Sequence, residues 1–312
     1  MNERCVILAS ANAHIGMEAG VAILQRGGTA LDAVEAVVRI VEDNAEDHTV
    51  GYGGYPNIVG DVELEASIMD GHDRRSGAVA SIAGFRNPIT VARAVMEHLP
   101  HVLLVGAGAA AFAAEQNCEP RDMLSEAAAD VWRRGLAPFT HGQVPQHPLA
   151  ELVRELVLDP EHVTGTVNVI ARDASGRLAS AASTSGWAWC YPGRAGDTGS
   201  IGAGNYCDDR FGAATCTGWG ELAIRAGVAR GIVAALRWGS TLEEACRDTL
   251  LDLPDAGMGT SETPLHVLGV TRDGTTGAFS TSADSQFTAW TSGALEPTLS
   301  NRTQVLAPRR TT

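Results

Sequence analysis

The sequence predicts an α+β protein of four layers, with two packed, mostly antiparallel sheets covered by helices on both outer faces. Three observations carry that expectation. The first half mixes short apolar strand-like runs with helical segments, and the second half runs strands, two helices, strands. Two hairpins stand out, one around Asp173-Ala174-Ser175-Gly176 and one around Asp273-Gly274. The 312 residues are 45% hydrophobic, enough for a large core.

Taken in order, residues 6–10 read as a short buried strand. Met17 to Gln25 reads as a helix stopped by Gly27-Gly28. Thr29 caps a second helix, with Asp32 three positions on and Leu31, Val34, Val38 and Val41 along one face. Gly51-Tyr52-Gly53-Gly54 is a tight turn. Residues 63–71 read as an alternating strand, with 78–83 as its partner. Thr90 to His98 is amphipathic and helical, and residues 102–105 form a buried strand candidate. From about Asn117 to Thr164, Pro120, Pro138, Pro145, Pro148 and Pro160 and the histidines His141, His147 and His162 mark an irregular, exposed connection, with short helices possible at 121–134 and 149–157. Thr166 to Arg172 and Leu178 to Thr184 then pair, which brings Thr166 opposite Ser183 or Thr184. A helix runs from near Gly218 to Trp238 and stops at Gly239. Ser240-Thr241-Leu242-Glu243 is a capping box for the next helix, and 265–270 with 276–280 form the last hairpin. There are no repeats.

The net charge of −14 argues against a general affinity for nucleic acid or an anionic membrane. No stretch has the length of a membrane span, and the first residues are too polar for a secretory signal. Six scattered cysteines without a C-x-x-C pair read as free thiols, which points to the cytoplasm.

A threonine hydroxyl is a weak nucleophile until a base takes its proton. When threonine is the first residue of a chain, its own α-amine, of unperturbed pKa about 7.7–8.0, can be that base. Scission of the Gly165-Thr166 bond would create nucleophile and base together. Read alone, Thr166 is an ordinary strand-opening residue. Arg194 and Asp197 read alone are an ordinary solvated pair, and Thr217-Gly218 a helix cap. Gly106-Ala107-Gly108 lacks the remainder of a nucleotide-binding fingerprint.

Together these segments resemble a known family. Thr164 to Ile170, Ala182-Ser183-Thr184-Ser185-Gly186, Gly193-Arg194-Ala195-Gly196-Asp197 with Gly202-Ala203-Gly204, and residues 214–221 are similar, in order and spacing, to asparaginase-type N-terminal-nucleophile (Ntn) hydrolases. In the first half, residues 49–54, 65–71 and 101–106 resemble the glycosylasparaginase branch specifically. The resemblance implies the four-layer αββα Ntn sandwich. It also implies an α-chain 1–165 and a β-chain 166–312, forming one structural domain after self-cleavage. It makes Thr166 the nucleophile and Thr184 its supporting threonine, and it places the Thr49 hydroxyl close by. Arg194 would hold the substrate α-carboxylate and Asp197 its α-ammonium, while the Thr217 hydroxyl and Gly218 amide would form the oxyanion hole. The implied reaction cleaves the side-chain amide of N4-glycosylated asparagine to aspartate and a glycosylamine. Isoaspartyl peptidase or L-asparaginase activity is the alternative, and a non-catalytic aspartate-binding homologue a third reading. No cofactor or metal is asked for, and the family tends to pair its processed units into homo-oligomers.

Three departures from the pattern bear on substrate and maturation. Glycosylasparaginases usually carry Asp just before the nucleophile, where this chain has Gly165, as in the isoaspartyl peptidase branch. The tryptophan expected after the first strand is replaced by Ala11-Asn12-Ala13-His14, so that His14 is either a substrate contact or an incidental surface residue. Trp187 and Trp189 either line the leaving-group side or pack in the core or rim.

Overall fold

A computed structural model describes residues 4–140, 143–146, 148–157, 165–253 and 264–305. Its thirteen strands among these residues form two sheets. The larger sheet is built from β1 (Val6–Ser10), β2 (Leu64–Asp70), β3 (Ser76–Ile82), β4 (Leu103–Val105), β5 (Val167–Arg172), β6 (Leu178–Thr184), β11 (Gln286–Thr291) and β12 (Thr298–Asn301). Its order is β12-β11-β1-β5-β6-β2-β3-β4, antiparallel throughout except for the β3–β4 pair. The smaller sheet holds β7 (Asn205–Asp208), β8 (Gly212–Gly218), β9 (Leu265–Thr271), β10 (Thr276–Ser280) and β13 (Thr303–Gln304), in the order β13-β10-β9-β8-β7.

Three apolar layers hold the sandwich together. Over the large sheet lie α1 (Met17–Gln25), α2 (Ala30–Glu42), α3 (Pro88–His98) and α4 (Gly106–Glu115), burying Val34, Val38 and Val41 against Val167, Val169 and Ala171. Between the sheets, Val6, Leu8, Ile170 and Met69 meet Ala213, Leu268 and Val270. Under the small sheet, α8 (Val228–Arg237) and α9 (Leu242–Leu251) bury Ile232, Val233 and Cys246. The expected four layers, helix, sheet, sheet, helix, are therefore present. Strands with both faces covered are buried at every position rather than at alternate ones. That is why β2, expected to alternate, is buried along nearly its whole length.

Several local expectations hold in detail. Thr29 Oγ1 accepts the Asp32 N–H at 3.1 Å, capping α2. Helix α1 spans the expected residues, and both hairpins close where the turn residues stand. Others need correction. The capping box of α9 is set by Thr241 with Glu244, one residue later than expected. Residues 103–105 form an edge strand with Leu103 and Val105 exposed, because the sheet ends there and nothing among the described residues covers those two side chains. Gly106, Ala107 and Gly108 form the first turn of α4. The helix expected from Gly218 to Trp238 is two: α7 (Gly220–Ala226) and α8, broken at Gly227, which is left-handed at φ 60°. The two short helices expected within the irregular connection are present, α6 (Ala150–Val157) where 149–157 was read and α5 (Glu126–Thr140) shifted later than 121–134. Leu136, Leu149 and Leu156 there pack with Ile58 and Trp189 in a small core of their own. His141, His147 and His162 lie outside the described residues. All six cysteines are free thiols, and five are buried. Among the described residues no helix is long and apolar enough to cross a membrane.

Candidate active site

The pleat of β5 decides which way Thr166 looks. Ile170 belongs to the layer between the sheets, so Asn168 and Thr166, two and four residues earlier, face the same layer. Toward this end of the sandwich the inter-sheet filling changes from apolar to polar. Asn168 Nδ2 donates across the gap to the Cys216 carbonyl at 2.6 Å, and Asn205 Nδ2 to Ser67 Oγ at 2.6 Å. Val167 pairs with Ser183 in the β5–β6 ladder, which puts Thr166 across from Thr184 one step further on. The hairpin thus brings the two threonines together as its turn predicted.

Thr184 does more than face Thr166. Its hydroxyl donates to the Gly165 carbonyl at 2.7 Å, lies 3.2 Å from the Thr49 carbonyl, and accepts the Gly186 N–H at 3.0 Å. The Ser185 N–H donates to the Thr49 carbonyl at 2.8 Å. Thr49, from the glycine turn after α2, is therefore fastened beside the Gly165-Thr166 bond. Its own hydroxyl donates to Asp47 Oδ1 at 2.6 Å.

Arg194 and Asp197 are not the solvated pair that their spacing allows. Asp197 is buried, and burial is the main reason its carboxyl is raised to about 6, with Cys216 as a counteracting hydrogen-bond donor. The Cys216 thiol, itself pushed well above its ordinary range by burial, donates to Asp197 Oδ2 at 3.3 Å. Arg194 holds Glu221 through Nε at 3.1 Å and Nη2 at 3.0 Å, and its Nη1 lies 3.7 Å from Glu65 Oε1. The face of its guanidinium packs on Trp187, 4.6 Å from the ring centroid, and Trp187 meets Trp219 edge to face at 4.7 Å. Glu65, buried in β2, accepts the N–H groups of Gly196 at 2.8 Å and Gly199 at 3.2 Å. It ties the glycine-rich loop to the large sheet, and burial raises its carboxyl above the usual range. With one cation among three carboxylates, the pocket is suited to a ligand that brings a positive charge of its own.

Thr217 and Gly218 close the opposite side as the last residues of β8, with Thr217 buried and in register with His266 of β9. The expected helix start at this point is corrected, since α7 begins two residues later, after Trp219. Gly218 has φ 118°, and a Cβ there would stand 2.1 Å from the Pro264 carbonyl oxygen, so only glycine fits. His14 is turned away toward β11, with Nδ1 3.0 Å from Thr288 Oγ1, and its neighbour Asn12 reaches the site instead, donating to Asp47 Oδ2 at 2.8 Å. Trp189 packs in the small core beside α5, whereas Trp187 lines the site at Arg194.

Glu65, Glu221, Asp47, Asn12 and Cys216 escaped the sequence reading. Glu65 alone carried a signal, a carboxylate between Leu64 and Ala66 inside a strand. Among the described residues no group of three or more His, Cys, Asp or Glu is placed to hold a metal.

Comparison with known proteins gives the family. The family model described as Asparaginase matches residues 8–297. The chain belongs to the asparaginase family. It is 40% identical over 237 residues to N(4)-(Beta-N-acetylglucosaminyl)-L-asparaginase of Elizabethkingia miricola, covering 76% of this chain and 65% of that protein. It is 36% identical over 243 residues to the isoaspartyl peptidase/L-asparaginase of Mus musculus, covering 73% and 66%. To the plant-type L-asparaginase of Pyrococcus horikoshii it is 39% identical over 221 residues, covering 70% of each chain. The aligned region thus spans just under two-thirds of the first two relatives' length.

Proposed function

We propose that this asparaginase-family chain is a threonine amidohydrolase acting on the side-chain amide of an aspartyl compound, matured by scission between Gly165 and Thr166. The observation that carries the reading is the 2.7 Å hydrogen bond from Thr184 Oγ1 to the Gly165 carbonyl. A donor on that oxygen withdraws charge from the carbon that Thr166 would attack during self-cleavage. The hydroxyl adds to the Gly165 carbon, the C–N bond breaks, and water hydrolyses the resulting ester. This leaves Thr166 with a free α-amine. In turnover that amine takes the hydroxyl proton as the oxygen attacks the β-carbonyl of the substrate. Thr217 and Gly218 stabilise the oxyanion, the proton passes to the leaving nitrogen, and water releases aspartate from the Thr166 ester.

The pocket's charges suit the free amino-acid end of such a substrate. Asp197 holds the α-ammonium, and Arg194 takes the α-carboxylate with the part of its fork that Glu221 leaves open. As leaving group we favour the glycosylamine of N4-glycosylated asparagine, supported by the 40% identity to a protein of that name and by the Trp187–Trp219 pair beside Arg194, which offers an apolar face to a sugar ring. A β-aspartyl peptide or asparagine is the second reading, favoured by Gly165, the residue found at that place in the isoaspartyl peptidase branch. The processed units assemble as homo-oligomers, with the exposed apolar residues of edge strand β4 as a surface they could share.

Denaturing mass spectrometry of purified protein tests the maturation, the expected result being two fragments, one starting at Thr166. Parallel turnover of a glycosyl-asparagine, a β-aspartyl dipeptide and asparagine then ranks the leaving groups. An intact chain with full activity overturns the mechanism.

A further inference from the structure

Gly165 has no room for a side chain. A Cβ built on it would stand 2.4 Å from Thr49 Oγ1 and 2.7 Å from Thr49 Cβ. The space that a side chain at 165 would enter is filled by the Thr49 hydroxyl, and that hydroxyl is not free to turn. It donates to Asp47 Oδ1 at 2.6 Å, and the Thr49 N–H donates to the same oxygen at 3.0 Å. The other oxygen, Oδ2, accepts Asn12 Nδ2 at 2.8 Å. Asn12 Oδ1 accepts the Ser10 hydroxyl at 2.6 Å, and Ser10 Oγ accepts the Asn168 N–H at 3.0 Å. This line of hydrogen bonds starts at the hydroxyl touching Gly165 and ends on β5, two residues past Thr166. Asp47 is thereby moored to the strand that carries the nucleophile, with one carboxylate oxygen aimed at the hydroxyl beside the bond to be broken.

Self-cleavage needs a base before any free amine exists. An internal Thr166 offers only a peptide nitrogen, and the residue before it has no carboxylate. We propose that Asp47, acting through the Thr49 hydroxyl, is the base that drives scission of the Gly165-Thr166 bond. The inference rests on the maturation reading above. Thr166 Oγ forms a bond to the Gly165 carbonyl carbon as its proton passes to Thr49 Oγ1, and the Thr49 proton passes to Asp47 Oδ1. When the tetrahedral intermediate collapses, the proton returns by the same path to the departing Thr166 nitrogen. The C–N bond breaks, leaving an ester at Thr166 Oγ and a free amine, with no net change in protons. The carboxylate that a side chain at 165 would supply directly is supplied here one residue away in space.

The test follows the appearance of the Thr166 fragment over time in freshly synthesised protein. Asp47→Asn keeps an acceptor oxygen and the shape but is no base, and Thr49→Val removes the relay hydroxyl at nearly constant volume. Both should slow cleavage by about 10²-fold or more, with thermal unfolding of the uncleaved chain unchanged. The decisive variant is Asp47→Asn with Thr49→Gly and Gly165→Asp, which removes all three Thr49 atoms nearest to position 165 and puts a carboxylate into the space they vacate. It should cleave faster than Asp47→Asn alone, a recovery that a merely structural role of Asp47 would not produce. Wild-type rates in Asp47→Asn, or a triple variant as slow as Asp47→Asn, overturn the proposal while leaving the maturation reading standing. A wild-type chain that never yields the fragment overturns both.

Discussion

Thr184, the last residue of β6, holds the carbonyl of Gly165, two residues before β5, with its hydroxyl 2.7 Å from the oxygen. A hairpin closed by the turn Asp173 to Gly176 has delivered a hydrogen-bond donor to one particular peptide bond. Thr184→Val keeps the shape and removes the donor. Its maturation should slow by about 10²–10³-fold, while Thr184→Ser retains most of the rate. The ratio of intact chain to Thr166 fragment over time gives the measurement.

The role proposed for Asp197 implies a pH limit on substrate binding. Its carboxyl is raised to about 6, chiefly by burial, and only the ionised form attracts an α-ammonium. Binding is thus at full strength above that value and weakens as pH falls through it, by roughly tenfold for each unit below. KM measured from pH 8 down to pH 4.5 should rise in this way. A substrate analogue lacking the α-amine should show no such rise.

Arg194→Lys removes the planar fork that meets Glu221 in the pocket and stacks on Trp187. The lost charge-assisted hydrogen bonds correspond to about 1.5–3 kcal/mol, or roughly 10–150-fold in kcat/KM. The loss should appear mainly in KM, because the contact proposed to the α-carboxylate is equal in ground and transition states. Steady-state kinetics on matured protein reads the split.

Thr217→Val deletes the hydroxyl proposed for the oxyanion. Its effect should fall on kcat, by about 10²–10³-fold, with KM little changed. A loss confined to KM would instead assign Thr217 to ground-state binding.

Glu42 makes stability depend on pH away from the pocket. Fully buried at the end of α2, it accepts the Ser183 hydroxyl at 2.6 Å and the Ile89 N–H at 3.1 Å, and burial raises its carboxyl from 4.5 to about 8. The folded chain therefore keeps this proton where the unfolded chain has lost it. The stabilisation is complete below about 4.5 and is lost as pH rises to about 8. Glu42→Gln removes the titration, so its melting temperature relative to wild type should climb by several degrees between pH 5 and pH 8. A constant difference would rule out this role.

The layers, most strand and helix positions, and the meeting of Thr166 with Thr184 were determined by sequence alone, because they follow from local rules. A turn tetrapeptide sets the register of its hairpin, apolar runs mark strands buried on both faces, and Thr29 with Asp32 closes a cap within four residues. Motif order also pointed to Arg194, Asp197, Thr217 and Gly218, which the fold gathers around the end of the β5–β6 hairpin. What the tertiary structure alone decided is how those groups are held. Glu221 grips Arg194 from 27 positions away, Glu65 secures the glycine loop from 131 and 134, and Ser10 reaches Asn168 across 158. No periodicity or spacing encodes such partners, since side chains so far apart in sequence meet only after two sheets have packed. Burial, which raises Asp197 and Glu42, likewise has no value until the layers close over them.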